Sequence, residues 1–181
     1  MRRIVKKISV LGYSGTGKKS ILNIIAPFDK TFEKYTDIIG TAITKYVICF
    51  KYKDEDFVFP ILVWDITGKI SSKKLRDAYL TGTEGFVIVA DASRFSTILS
   101  IPIWLEYGYS QIGKVPVSAI INKMDLVSEN EVEKIKKEVE KIKQLPIFYT
   151  SIYKSKKEEL EMPFLKVAKA LIEKSRFSSQ Q

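Results

Sequence analysis

Short apolar runs alternate along the chain with stretches whose apolar residues recur at helical spacing. Residues 4–11 form the first run and read as a strand. Residues 44–52 and 57–64 flank the polar turn KDED and read as the arms of an antiparallel hairpin. Pro60 weakens the second arm, because proline removes a ladder donor. Residues 86–90 (FVIVA) and 115–121 (VPVSAII) lack a polar face, the pattern of strands buried on both sides. Residues 145–150 (LPIFYT) read as the last strand. Helical patterns are expected over 18–25, 96–109, 129–144 and 164–174. In the third, Val132, Ile135, Val139 and Ile142 recur at the helical period, while Glu133 and Lys137 stand four apart on a solvated face.

Strands that alternate with helices imply crossover connections, and therefore an α/β fold with a mostly parallel sheet covered by helices on both faces. Six strands are expected, with one antiparallel strand at the edge. The 181 residues fit one domain, 1–181, with a core over about 3–175 and a frayed tail over 176–181. Cys49 is the single cysteine and there is no histidine, so an internal disulfide and a Cys/His metal cluster are both excluded. Cys49 reads as a small buried hydrophobe and Trp104 as a core residue. A reducing, cytoplasmic setting is the simplest expectation.

The net charge of +9 suits either an anionic partner or a Lys/Glu-rich surface. The lysines are interleaved with acids and not with aromatics, so a nucleic-acid partner is not expected. No stretch approaches the roughly 20 apolar residues of a membrane helix. Arg2 excludes N-myristoylation, and RFSSQQ offers no prenylation cysteine. At most a peripheral membrane contact is expected.

Candidate chemistry begins at GYSGTGKKS, residues 12–20. Gly12, Gly15 and Gly17 allow the backbone to turn sharply and approach a ligand closely. The loop follows a strand and opens a helix, the context in which Gly-x4-Gly-Lys binds phosphate. Ser14, Gly15, Thr16, Gly17, Lys18, Lys19 and Ser20 are the candidate phosphate residues, with Lys18 reaching the β- and γ-phosphates. Asp65-Ile66-Thr67-Gly68 ends another apolar strand. Asp65 is the candidate metal ligand, and Gly68 could sense a γ-phosphate through its N–H. Asn122-Lys123-Met124-Asp125 follows a third strand. The Asp125 carboxylate can accept from both the ring N–H and the exocyclic amine of guanine, a donor pair adenine lacks. The stem of Lys123 can lie along the base plane. Ser151 and Ile152, after the last strand, could present a backbone N–H to the guanine carbonyl.

These four signatures occur in one order, each at the C-terminal end of a candidate strand, where open α/β sheets bind ligands. With VLGYSGTGKKS, VWDITG, FVIVADAS, NKMD and YTSI in place, the chain resembles small GTPases of the Ras superfamily, in the style of Rab-, Ras- or Arf-like members. The resemblance implies a P-loop G domain that binds GTP and GDP. It also implies a protein effector or regulator contacting residues about 31–44 and 66–80. Asn122, Lys123, Asp125, Ser151 and Ile152 would then hold the guanine.

Three positions depart from the family pattern. Lys19 stands where a Ser or Thr would ligate Mg²⁺. Ser20 does not replace it, since one helical step turns a side chain by about 100°. Ile38 replaces the first-switch threonine, and Thr36 and Thr41 are out of register. Lys69 replaces the glutamine that orients the attacking water. The candidate catalytic residues are thus Lys18 and Lys69, with hydrolysis slow or partner-dependent. Mg²⁺ binding is doubtful, because the Lys19 ammonium can stand in for one charge of the metal and repels it, although Asp65 is retained. The competing expectation is a pseudo-GTPase scaffold that holds nucleotide constitutively or not at all. A kinase or ATPase sharing the loop is a further rival, which NKMD opposes.

Overall fold

The computed structural model describes residues 6–25, 43–52, 55–64, 80–142 and 145–178. Within them lie six strands and five α-helices. β1 (Ile8–Leu11) leads into α1 (Lys18–Ile25); β2 (Ile43–Tyr52) and β3 (Glu55–Trp64) follow. Next come β4 (Gly85–Asp91), α2 (Phe95–Leu99), α3 (Ile101–Ile112) and β5 (Val117–Asn122). A 3₁₀ turn (Met124–Leu126), α4 (Glu129–Val139), β6 (Ile147–Tyr149) and α5 (Lys157–Ser178) complete the described chain.

The strands form one sheet in the order β2-β3-β1-β4-β5-β6. Only the β2–β3 pair is antiparallel. The expected hairpin therefore forms, and β2 is the antiparallel edge strand. Pro60 is accommodated inside paired β3, opposite Val47. The described pairing with β1 begins one residue later, at Ile61, so the missing donor falls where β3 has a single partner.

Alternation along the central strands sorts side chains onto two faces. Val87 and Val89 join Ile8, Val10 and Ile120 in one core layer, covered by Ile21, Leu22 and Ile25 of α1 and by Leu160, Phe164, Val167, Leu171 and Ile172 of α5. Phe86, Ile88 and Ala90 face the other way and pack with Ile98, Ile101, Ala119, Ile121, Ile135 and Val139. Burial on both faces is what continuous apolar strands predict.

Several element bounds differ from the sequence-based expectation. The single helix expected over 96–109 is two, α2 and α3, meeting at Ser100. Pro102 has no N–H to continue the ladder, and the Ser100 N–H closes α2 on the Ile98 carbonyl instead. α4 stops at Val139, and Ile142 reaches the core from the following turn, its N–H donating to the Val139 carbonyl at 2.9 Å. α5 begins at Lys157, well before the expected 164, and runs to Ser178, three residues into the stretch expected to fray. Pro163 lies inside it, and the buried stripe from Leu160 onward carries the helix across the one lost bond. β6 is confined to three residues. Trp104 is half-buried and packs against the second core layer, its ring edge-on to Tyr13 at 5.5 Å. The side chain of Cys49 lies outside the described residues.

All parallel strands end at the same edge. The chain leaves β1 toward the β2–β3 side of the sheet and leaves β4 toward β5 on the other, and such a reversal opens a crevice at the carboxyl ends.

Candidate functional site

The loop leaving β1 is shaped by its neighbours. Gly12 has φ +134, and a Cβ there would lie 2.2 Å from the Val89 carbonyl oxygen, so the loop lies directly on β4. Gly17 has φ +98, and a Cβ there would lie 2.2 Å from the Asn122 amide nitrogen. The Thr16 hydroxyl donates to the Tyr13 carbonyl at 3.0 Å, tightening the turn. α1 then starts, with the Ile21 N–H on the Gly17 carbonyl at 2.9 Å. The N-terminal end of a helix, with its aligned N–H dipoles, favours an anion. Lys18 is buried, and its ammonium donates to the carbonyls of Gly12 (2.9 Å) and Tyr13 (2.7 Å).

The second part of the site is built at the end of β5. Asn122 is fully buried. Its amide nitrogen donates to the Thr16 carbonyl at 3.0 Å, and its oxygen accepts from the Thr150 hydroxyl at 3.1 Å. Expected from the sequence to lie at the base, Asn122 lines the cleft and its side chain joins the loop after β1 to the end of β6. Lys123 takes left-handed backbone angles (φ 65°), the one positive-φ non-glycine among the described residues. That reversal starts the 3₁₀ turn carrying Asp125, which is tied down by the Met124 N–H on the Thr150 carbonyl at 3.1 Å.

Ser151 is buried behind this turn. Its hydroxyl accepts from the N–H groups of Tyr153 and Lys154, both at 3.2 Å, and its own N–H donates to the Ser155 hydroxyl at 3.1 Å. It shapes the wall from behind. Ile152 packs against the first core layer.

Between the two parts runs a cleft of about 640 Å³, a size that suits a small-molecule ligand. Ser14, Gly15, Gly17, Lys18, Lys19 and Ser20 line one end, and Asn122, Lys123, Asp125, Leu126, Ile152 and Tyr153 the other. Of the expected site residues, Thr16 and Ser151 lie behind the lining. Asp65, Gly68 and Lys69 fall outside the described residues, as do Ile38, Thr36 and Thr41.

Asp91, the last residue of β4, was not singled out from the sequence, nor was Arg94. Asp91 is about 1% exposed. One carboxylate oxygen accepts from the Lys123 ammonium (2.7 Å) and the Arg94 Nε–H (2.9 Å); the other accepts from the Ser93 N–H and hydroxyl at 3.0 and 2.7 Å. The sequence signal was a carboxylate ending a wholly apolar strand, since a buried charge requires partners. Lys123 is thus committed to Asp91 by its ammonium while its stem lines the cleft.

Burial by itself raises the Asp91 pKa. The hydrogen bonds from Lys123, Ser93 and Arg94 outweigh it and leave the group below its usual value of 3.8. A depressed carboxylate contributes stability that is present above the unfolded value and is lost as pH falls through the folded one. Asp91→Asn is therefore expected to cost about 1–3 kcal/mol near neutrality. The gap from wild type should shrink as pH drops below the usual carboxylate value. Thermal unfolding of both proteins at neutral pH and at pH below 3.8 checks this. A gap of constant size would mean that the charge of Asp91 is not what stabilises the junction.

Comparison with known proteins agrees with this architecture. The family model described as "Ras family" matches residues 7–173. A curated relative, the Ypt/Rab-type GTPase YPT7 of Saccharomyces cerevisiae (strain ATCC 204508 / S288c), is 27% identical over 162 residues, covering 83% of this chain and 74% of that protein.

Proposed function

The chain belongs to the Ras family, and from that premise we propose that it is a cytoplasmic guanine-nucleotide switch holding GTP or GDP along the described cleft, within a single G domain. The observation that carries the reading is the junction of two specialised loops in one cleft. Lys18 and the start of α1 offer positive charge and N–H donors at one end, and Asp125 offers a paired acceptor at the other. Asn122 ties the two ends together from beneath. Phosphate would lie on the loop from Ser14 to Ser20 and guanine against Asp125, Lys123 and Ile152. Signalling would pass to a protein partner through residues about 31–44 and 66–80.

The family's magnesium ion fits this donor set poorly. Lys19, the residue after Lys18, lines the cleft, so the position where the family pattern has an oxygen ligand carries a lysine. Ser20 supplies an exposed hydroxyl one step around the helix. Asp65 is the acidic candidate by sequence. A magnesium ion, when bound, would neutralise charge on the β- and γ-phosphates. In this chain Lys18 and Lys19 would carry that duty, each with one charge. Lys69, protonated, has no lone pair to accept from an attacking water, so intrinsic hydrolysis is slow and depends on a partner's groups.

Calorimetry of GTP and GDP binding to nucleotide-stripped protein, with excess Mg²⁺ and then with chelator, tests the proposal. The expected result is binding of both nucleotides with less than a tenfold change on removing the metal, about 1.4 kcal/mol. A larger tightening by Mg²⁺ would show a working metal site and overturn the assignment to Lys19. Absence of binding by either nucleotide would favour the second reading, a pseudo-GTPase scaffold, for which Lys19 is the motivating observation.

A further inference from the structure

We propose that Arg94 is a positioning residue for the phosphate loop, holding the Ser14–Gly15 peptide in the orientation that phosphate binding requires. The inference rests on the nucleotide reading above. The Arg94 Nη2 donates to the Ser14 carbonyl across 80 positions of sequence, at 2.9 Å. Its Nε donates to Asp91, also at 2.9 Å. The backbone of Arg94 is anchored as well: its N–H donates to the Asp91 carbonyl, and its carbonyl accepts from the Thr97 N–H and hydroxyl. The guanidinium is a rigid fork, so fixing Nε on a buried carboxylate aims the other arm at the loop.

The effect on the loop follows from peptide geometry. In a trans peptide the carbonyl and the N–H point in opposite directions. Holding the Ser14 carbonyl toward Arg94 therefore directs the Gly15 N–H to the opposite side. Gly15 has φ +76 and no side chain of its own to set this plane. Both residues line the cleft, whereas Arg94 lies outside it. A second brace acts one residue earlier, where Tyr13 packs edge-on against Trp104 of α3. The same Asp91 oxygen also accepts from Lys123. One buried carboxylate thus sets both the cation that braces the phosphate loop and the lysine of the base loop. A rearrangement at either end of the ligand would be felt at the other.

The test uses the full chain and GDP. Release of GDP is timed in wild type, Arg94→Ala and Arg94→Lys, with ³¹P spectra of the bound nucleotide and thermal unfolding of each. Arg94→Ala is expected to release GDP about tenfold faster, a change of about 1.4 kcal/mol, and to shift the β-phosphate resonance. Arg94→Lys should fail to restore the wild-type rate, because one ammonium cannot reproduce the two fixed arms. The Arg94 side chain is 44% exposed, so the truncated protein should remain folded; should it not, Arg94→Gln takes its place. Wild-type release with an unmoved ³¹P spectrum would overturn the proposal, as would full rescue by lysine. If wild type itself binds no GDP, the nucleotide reading falls and this inference with it. If wild type binds and the variants match it, only this inference falls.

Discussion

An Asp125→Asn protein is expected to lose guanine nucleotide and gain xanthine nucleotide. A carboxylate offers acceptors only, and guanine presents two donors, the ring N–H and the exocyclic amine. Asparagine offers one acceptor and one donor. It matches xanthine, which keeps the ring N–H and has a carbonyl in place of the amine. Each charge-assisted bond contributes roughly 1.5–3 kcal/mol, so losing the bond to the amine, facing that amine with a like donor and leaving the ring N–H on a neutral acceptor should weaken GDP by on the order of 10³-fold. The substitution is close to isosteric and acts in a turn held by the Lys123 backbone and the Met124–Thr150 bond, so the fold should survive it. Calorimetry with GDP and xanthosine diphosphate reads both halves of the exchange. GDP affinity within tenfold of wild type would mean that Asp125 does not read the base.

The second large effect is expected at Gly17. An alanine Cβ would fall 2.2 Å from the Asn122 amide nitrogen, and φ +98 is a backbone conformation alanine rarely adopts. The clash has no easy exit, because Asn122 is fully buried and held at both ends, by Thr16 and Thr150. The left-handed backbone costs roughly 1–2 kcal/mol, and displacing a buried amide adds about 1–3 kcal/mol. For a chain of this length the sum corresponds to a fall in Tm of roughly 5–15 °C. Nucleotide binding should fall with it, since the same strut joins the two ends of the cleft. A double-mutant cycle isolates the cause. In an Asn122→Ala background the contact is gone, and Gly17→Ala should cost only the backbone part. Equal costs in both backgrounds would show that Asn122 is not the obstacle.

The parts of the fold that were legible share a feature: each was stated by neighbouring residues. The apolar runs at 86–90 and 115–121 announced strands buried on both faces, and β4 and β5 lie inside the sheet, each with a neighbour on both sides. The glycines and lysine of residues 12–18 announced a loop between a strand and a helix, as β1 and α1 bear out. Element ends were less legible, because they depend on what is packed nearby. Pro102 and Pro163 look equally disruptive in sequence. The first does end a ladder, at Ser100, while the second lies inside a 22-residue helix carried by its buried stripe.

The candidate site divides along the same line. Its chemistry is a property of residue types at short spacing. Lysine after glycine, and a carboxylate three positions after asparagine, are visible in the bare sequence because local backbone geometry alone makes them useful. Its mechanics are not. Asn122 meets Thr16 across 106 positions, and Arg94 meets Ser14 across 80. Those bonds exist because parallel pairing brings the carboxyl ends of β1, β4 and β5 to one edge. No residue near Asp91 in sequence announces that Lys123 will share its carboxylate. Which groups the chain carries was therefore written in its order of residues; which of them brace one another was decided by the sheet, since a hydrogen bond reaches about 3 Å whatever the distance along the chain.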